Sequence, residues 1–215
     1  GSRSPARNGS SSAALMRQLA LCLSLLLGAC AVAPPRTGMV SPVTPALISD
    51  WQHHRQSVLA FDRFLLEGRL AASGSPVSSR LRWQQDATRH FDVLLSGPLG
   101  QGSLRLRGND TAVRIQYDQQ DWTTSTPDAD LERILGMPLP VTALRYWARG
   151  LPQPGAAARY DLDAEGRLLR LEQAGWRLDY LRYHPGEPAL PARVALSRHD
   201  TTLTLLADRW RPQGG

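Results

Sequence analysis

The five histidines are the first residues to test for chemistry. His53 and His54 are adjacent, so on a helix they point about 100° apart and do not make a two-histidine metal face. Asp50 and His54 do share a face, but an aspartate near a helix start serves the positive end of the dipole. His90, His184 and His199 fall in strands or turns with no nucleophile motif beside them, and G-x-S-x-G, H-E-x-x-H and Walker patterns do not occur. Gly97-Pro98-Leu99-Gly100-Gln101-Gly102 has the composition of a phosphate loop. It runs, however, into the strand-like Ser103-Leu104-Arg105-Leu106-Arg107, whereas a phosphate loop needs a helix N-terminus there. The sequence therefore assigns no catalytic residue, no metal and no cofactor.

The same segment reads better as a turn. Pro98 at the second position and Gly100 at the fourth suit type I geometry and leave Leu99 at the tip of a hairpin. Either Leu99 folds back on the sheet edge, or it is an exposed apolar tip that meets a membrane or a partner. A second chemical signal lies near the start. Arg17 follows Met16, an apolar run spans Leu19 to Leu27, and Gly28, Ala29 and Cys30 follow. The run is too short to span a bilayer and describes a secretory signal peptide. Leu27-Gly28-Ala29-Cys30 resembles the bacterial lipobox, whose cysteine is acylated and becomes the new N-terminus. The bland alternative is an exported chain with a chance cysteine at its cleavage site. Cys22 and Cys30 are the two cysteines, so the rest of the chain has no disulfide framework.

The elements that position these residues follow from periodicity. Residues 1–15 read as a leader or mis-called extension, 16–29 as a lipoprotein signal peptide, 30–47 as a proline-rich tether, and 48–211 as the folded domain. Ser49 and Gln52 form a capping box before Trp51, His54, Val58, Phe61 and Leu65, spaced alternately by three and four as on a helix. The period then becomes two, in runs at Leu70–Ser73, Leu81–Trp83, Phe91–Leu95, Leu104–Leu106 and Val113–Tyr117. Thr126 is placed to cap a helix starting at Pro127, with Asp128, Asp130 and Glu132 near its positive end and Gly136 stopping it. A second short helix carries Leu144 and Trp147 and ends at Gly150. Strand patterns resume at Arg159–Leu162, Leu168–Leu171, Trp176–Tyr180, Val194–Leu196 and Leu203–Leu205. These runs predict an α+β domain of about eleven strands and three helices, on one curved antiparallel sheet that curls toward a barrel.

Composition agrees. The 215 residues are 42% apolar and 20% charged, which excludes fibrous and disordered chains. The 25 basic residues are all arginine against 19 acids, a formal +6. Removal of the signal segment takes away Arg3, Arg7 and Arg17 and leaves 22 arginines against 19 acids. Bases spread singly along strands make solvated faces, so nucleic-acid binding is not suggested.

Gly136-Met137-Pro138-Leu139-Pro140, followed by Leu144, Trp147, Gly150, Leu151 and Pro152, resembles the signature of the LolB family of outer-membrane lipoprotein receptors. The likeness takes in the lipobox, the Trp51-Gln52 helix, Trp83, the Pro98-Leu99-Gly100 loop and Trp210. It implies an incomplete, half-open barrel of eleven antiparallel strands, with helices covering an apolar cavity. It also implies a monomer anchored through Cys30 in the outer membrane and facing the periplasm. Such a protein would accept lipoprotein acyl chains from a LolA-type periplasmic carrier and place them in outer-membrane phospholipid, without nucleotide hydrolysis. Pro98, Leu99 and Gly100 would be the membrane-insertion loop. The cavity walls expected on this basis are Trp83, Leu95, Leu104, Leu106, Ile115 and Trp122 on the sheet, with Leu135, Met137, Leu144 and Trp147 on the lid. The rival expectation is a structural envelope lipoprotein with a filled β core, since a dry face looks alike whether side chains or lipid fill it.

Overall fold

The computed structural model describes residue 1 and residues 42–73, 78–86, 88–97 and 102–214. The expectations for the leader, the signal peptide, Cys30 and Pro98-Leu99-Gly100 lie outside the described residues.

The first element among the described residues is helix α1 (Pro45–Ala60). It starts earlier than the Ser49 capping box suggests, and so includes Pro45–Leu47 of the expected tether. Pro45 stands where its fixed φ suits the first helical turn, and the Thr44 hydroxyl accepts the Leu47 N–H at 3.1 Å. The face of Leu47, Trp51, His54 and Val58 is buried. Phe61 is the C-cap, so Leu65 belongs to the next element.

Six strands follow: β1 (Phe64–Ala72), β2 (Ser78–Gln85), β3 (Phe91–Ser96), β4 (Ser103–Gly108), β5 (Val113–Tyr117) and β6 (Gln120–Thr124). Alternation marks β1 only from Leu70 and marks no strand at β6, where Trp122 is the single half-buried apolar residue. Helices α2 (Pro127–Leu135) and α3 (Val141–Trp147) come next. The chain closes with β7 (Ala158–Leu162), β8 (Leu168–Gln173), β9 (Trp176–Tyr183), β10 (Pro191–Arg198) and β11 (Thr201–Pro212).

All eleven strands form one antiparallel sheet in the order β6-β5-β4-β3-β2-β1-β11-β10-β9-β8-β7. Every neighbour is a hairpin partner except β1 and β11, the first and last strands, which pair in the middle. The edges β6 and β7 do not pair, so the barrel stays open. The α2–α3 segment is the stretch of chain that joins those two edges.

Local sequence sets the curvature. The β1–β11 register shifts between Glu67 and Gly68, a bulge that increases twist. A Cβ on Gly68 would overlap the Leu206 carbonyl, so only glycine lets the two backbones approach. Gly166, in the β7–β8 turn at φ +69°, lies against α1, where a Cβ would stand 2.7 Å from the Trp51 nitrogen. Helix α1 covers the β7–β11 half: Trp51 packs on Tyr160 with ring centroids 5.5 Å apart, and Phe61 on Trp210 at 6.4 Å. Arg105 and Arg114 on the strands make cross-strand ion pairs with Asp92 and Asp121. Those guanidinium groups hold both carboxyls below the usual carboxylate range.

Candidate functional site

The period-2 pattern of β2 to β4 turns Leu81, Trp83, Val93, Leu104 and Leu106 to the inner face, all buried. Leu139, Val141 and Leu144, from the α2–α3 connection and α3, face them across a recess. Its outer part, about 340 Å³, is bounded by Leu70, Leu95, Leu104, Leu135, Met137 and Leu139, and opens between Gly97 and Gly102 at the base of the β3–β4 hairpin. That volume sits at the low end of the roughly 300–1,000 Å³ of ligand sites. Its inner part, between Trp83, Phe91, Val93, Leu106 and Leu144, is about 20 Å³, room for about one water. Leu70, Leu95 and Leu139 border both parts, and among the described residues no carboxylate or cation borders either. Among the described residues the recess is therefore lined mostly by apolar side chains, open at its outer part and narrow at its inner end.

What closes it is the α2–α3 lid, which polar contacts pin at defined points. The buried Gln173 amide uses all its capacity: its oxygen accepts the Trp147 indole N–H and the Gln153 N–H, each at 2.8 Å. Its nitrogen donates to the carbonyls of Gln153 at 2.8 Å and Ala156 at 3.0 Å. The Tyr180 hydroxyl donates to the Trp147 carbonyl at 3.0 Å, and burial raises that phenol's pKa. Arg149 is buried and donates to Phe61 O at 3.1 Å, satisfying a carbonyl at the end of α1. Desolvation pulls its pKa to about 10, which still leaves it charged at neutral pH. Arg145, buried on α3, pairs with Asp110 of the β4–β5 turn.

Asp128 links the two lid helices by accepting the Thr142 hydroxyl at 2.6 Å and its N–H at 3.2 Å. Burial raises the Asp128 pKa. The acids of α2 thus do more than cap: Asp130 accepts Arg133 at 3.0 Å, and Thr126 makes no side-chain cap. Gly136, left-handed at φ 67°, ends α2 as its sequence position suggests.

Of the ten expected wall residues, Trp83, Leu95, Leu104, Leu106, Leu135, Met137 and Leu144 border the recess. Three do not. Ile115 is fully buried in the core, Trp122 is half-buried on β6, and Trp147 packs beside Trp176 at 6.5 Å with its indole held by Gln173. Leu70, Leu81, Phe91, Val93, Leu139 and Val141 border the recess and were missed. The sheet residues among them carry the same alternation as those that were named. Gln173, Arg149 and Arg145 carry no local signal, because their importance lies in carbonyls and acids distant in sequence.

His54 and His90 have structural surroundings. His54 is buried near Trp51 and Tyr183, its Nε2 has no partner among the described residues, and desolvation lowers its pKa. Among the described residues no His/Cys/Asp/Glu group could hold a metal. Thr88, His90 and Asp86 come together in the exposed β2–β3 turn: the Thr88 hydroxyl lies 2.9 Å from His90 Nδ1 and donates to Asp86 at 2.6 Å. Asp86 also accepts the N–H groups of Thr88 and His90, so it holds the turn and does not orient the imidazole of a triad.

The comparisons with known proteins agree with this architecture. The family described as Outer membrane lipoprotein LolB matches residues 62–210. This chain belongs to the LolB family. It is 39% identical over 204 residues to the outer-membrane lipoprotein LolB of Stutzerimonas stutzeri, covering 93% of this chain and 97% of that one. The LolB of Pseudomonas paraeruginosa is 38% identical over 167 residues, covering 76% and 81% respectively. A solved LolA superfamily protein from Nitrosomonas europaea superposes with a TM-score of 0.50 at 9% identity, covering 81% of this chain and 96% of that one, and so shares the fold. The stretch that matches the LolB family begins just before β1 and ends at Trp210 on β11, so it takes in the whole sheet and the lid.

Proposed function

We propose that this LolB-family chain is an outer-membrane receptor that accepts lipoproteins from a LolA-type periplasmic carrier, holds their acyl chains in the recess, and releases them into outer-membrane phospholipid. Its family makes it an outer-membrane lipoprotein with a part in lipoprotein localisation. The observation that carries the finer reading is the mostly apolar recess between lid and sheet, with its mouth at the base of the β3–β4 hairpin. The need for such a passage is thermodynamic. Three acyl chains of about fifteen methylenes, at about 0.8 kcal/mol each, would cost roughly 36 kcal/mol to expose to water. Handover by direct contact avoids that exposure. With an acceptor that binds the chains better than the carrier does, and a bilayer that binds them better still, the process runs downhill without nucleotide.

The inner chamber, at about 20 Å³, is too small for an acyl chain, so cargo requires the lid to move away from the sheet. In this reading Cys30 bears the anchor, the domain works as a monomer facing the periplasm, and Leu99 enters the bilayer during release. The same small chamber favours the rival reading of a structural lipoprotein with a filled core. Titration with an apolar fluorescent probe separates the two: saturable one-to-one uptake supports the receptor, and no uptake by the folded protein supports the filled core. Leu99→Glu is expected to keep probe uptake and impair delivery of bound lipoprotein to liposomes. Equal delivery by variant and parent would remove Leu99 from the mechanism.

A further inference from the structure

The same rim of the sheet that carries the mouth of the recess carries a second, unlike concavity. Strands β8 and β10 end there in the Ala174-Gly175 and His199-Asp200 turns. Between those turns lies a shallow hollow of about 760 Å³, bordered by Arg159, Glu172, Trp176, Arg177, Arg198 and His199 among others. Three guanidinium groups and an imidazole thus face one carboxylate. Arg177 shares Asp179 with Arg170, at 3.2 and 2.9 Å. Among the described residues, Arg159 and Arg198 have no carboxylate within salt-bridge distance. Arg198 is the more telling, because it is half-buried beside Trp176 and yet makes no side-chain hydrogen bond among the described residues. A planar fork held without an acceptor suits bidentate capture of a phosphate oxygen pair.

Register fixes the relation of this hollow to the mouth. Along the rim, Arg80 on β2 is level with Ser96, where the β3–β4 hairpin begins, and Ala72 on β1 is level with Leu203 on β11. Arg198 follows on β10, opposite Thr201. Four strand spacings of about 4.8 Å separate β3 from β10, roughly 20 Å. One small ligand cannot touch both sites, but a flat surface laid on the rim touches both. Arg80, also without a carboxylate within salt-bridge distance among the described residues, lies between them.

We propose that this rim docks on a bilayer bearing anionic phosphate headgroups, with Arg159, Arg198 and His199 taking headgroup phosphates. This deepens the receptor reading and rests on its premise that cargo is released into a membrane. The hollow would hold the mouth of the recess against the leaflet during release.

The test uses the full chain with Cys30→Ala, so that an acyl anchor does not dominate partitioning, and vesicles of phosphatidylcholine alone or mixed with phosphatidylglycerol. Co-sedimentation is expected to favour the mixed vesicles and to weaken as salt rises. Arg159→Gln/Arg198→Gln is expected to lose roughly 30-fold in affinity for the mixed vesicles, from the contribution of each arginine near an anionic surface. Equal binding of the parent to both vesicles, unchanged binding by the double variant, or a double variant that loses the carrier and keeps the vesicles would each overturn the proposal. Probe uptake in the same preparations reports the recess separately, so failure of the receptor reading shows as absent uptake and not as lost vesicle selectivity.

Discussion

Gln173→Leu tests how the lid is rooted. The substitution keeps the volume of a side chain that is 3% exposed and removes its four hydrogen bonds to Trp147, Gln153 and Ala156. At about 1 kcal/mol each the bonds sum to about 4 kcal/mol, and water restores part of that at the half-buried Gln153 and the exposed Ala156. The Trp147 N–H, on a fully buried ring, recovers nothing. The expected loss is about 2–4 kcal/mol, a large share of a typical domain stability of roughly 5–15 kcal/mol. Urea unfolding followed by tryptophan fluorescence should show the midpoint falling by roughly 1–2 M, for an m-value of about 2 kcal/mol per molar. Trp147→Phe alone should cost about 1–3 kcal/mol, and the double variant less than the sum, because both remove one bond. A loss below about 0.5 kcal/mol in Gln173→Leu, with the fold intact, would show that the lid does not depend on this amide.

Two further outcomes follow from the same contacts. Asp110→Asn weakens the hold of the β4–β5 turn on Arg145 of the lid. It should cost about 1–2 kcal/mol in stability and speed apolar-probe association, a stopped-flow measurement that an unchanged rate would turn against the latch. His54 has a folded pKa lowered by burial, with Glu187 and Asp163 opposing and Arg167 and His53 assisting. The unfolded chain therefore binds the proton more readily. Stability from this group is complete above pH 6.5 and declines as pH falls below that value, and His54→Phe should flatten that part of the urea-midpoint profile.

Much of the sheet was legible because a half-buried strand must alternate. Leu104 and Leu106 or Val113 and Ile115 leave little choice of face once one of them is inside. The edge strand β6 escaped because an edge buries little, and Trp122 alone marks it. The start of α1 escaped because two capping signals compete within six residues, and Pro45 with Thr44 prevails over Ser49 by fixing the first turn. The recess was legible only in part. Sequence tells which face is dry, but whether Trp147 or Leu144 meets the gap depends on how α3 is rotated. That rotation is set by Gln173, Tyr180 and Arg149, whose partners are 26, 33 and 88 residues away in the chain. The chemistry that pins the lid is thus long-range and leaves no local pattern.

The most direct test of the account is transfer of a radiolabelled lipoprotein from purified LolA-type carrier to the Cys30→Ala chain in solution, without nucleotide. The account predicts near-stoichiometric movement of label to this chain, and blockage by a saturating apolar probe in the recess. Label that stays on the carrier, while circular dichroism shows the acceptor folded, would contradict it and leave an outer-membrane lipoprotein whose β core is filled.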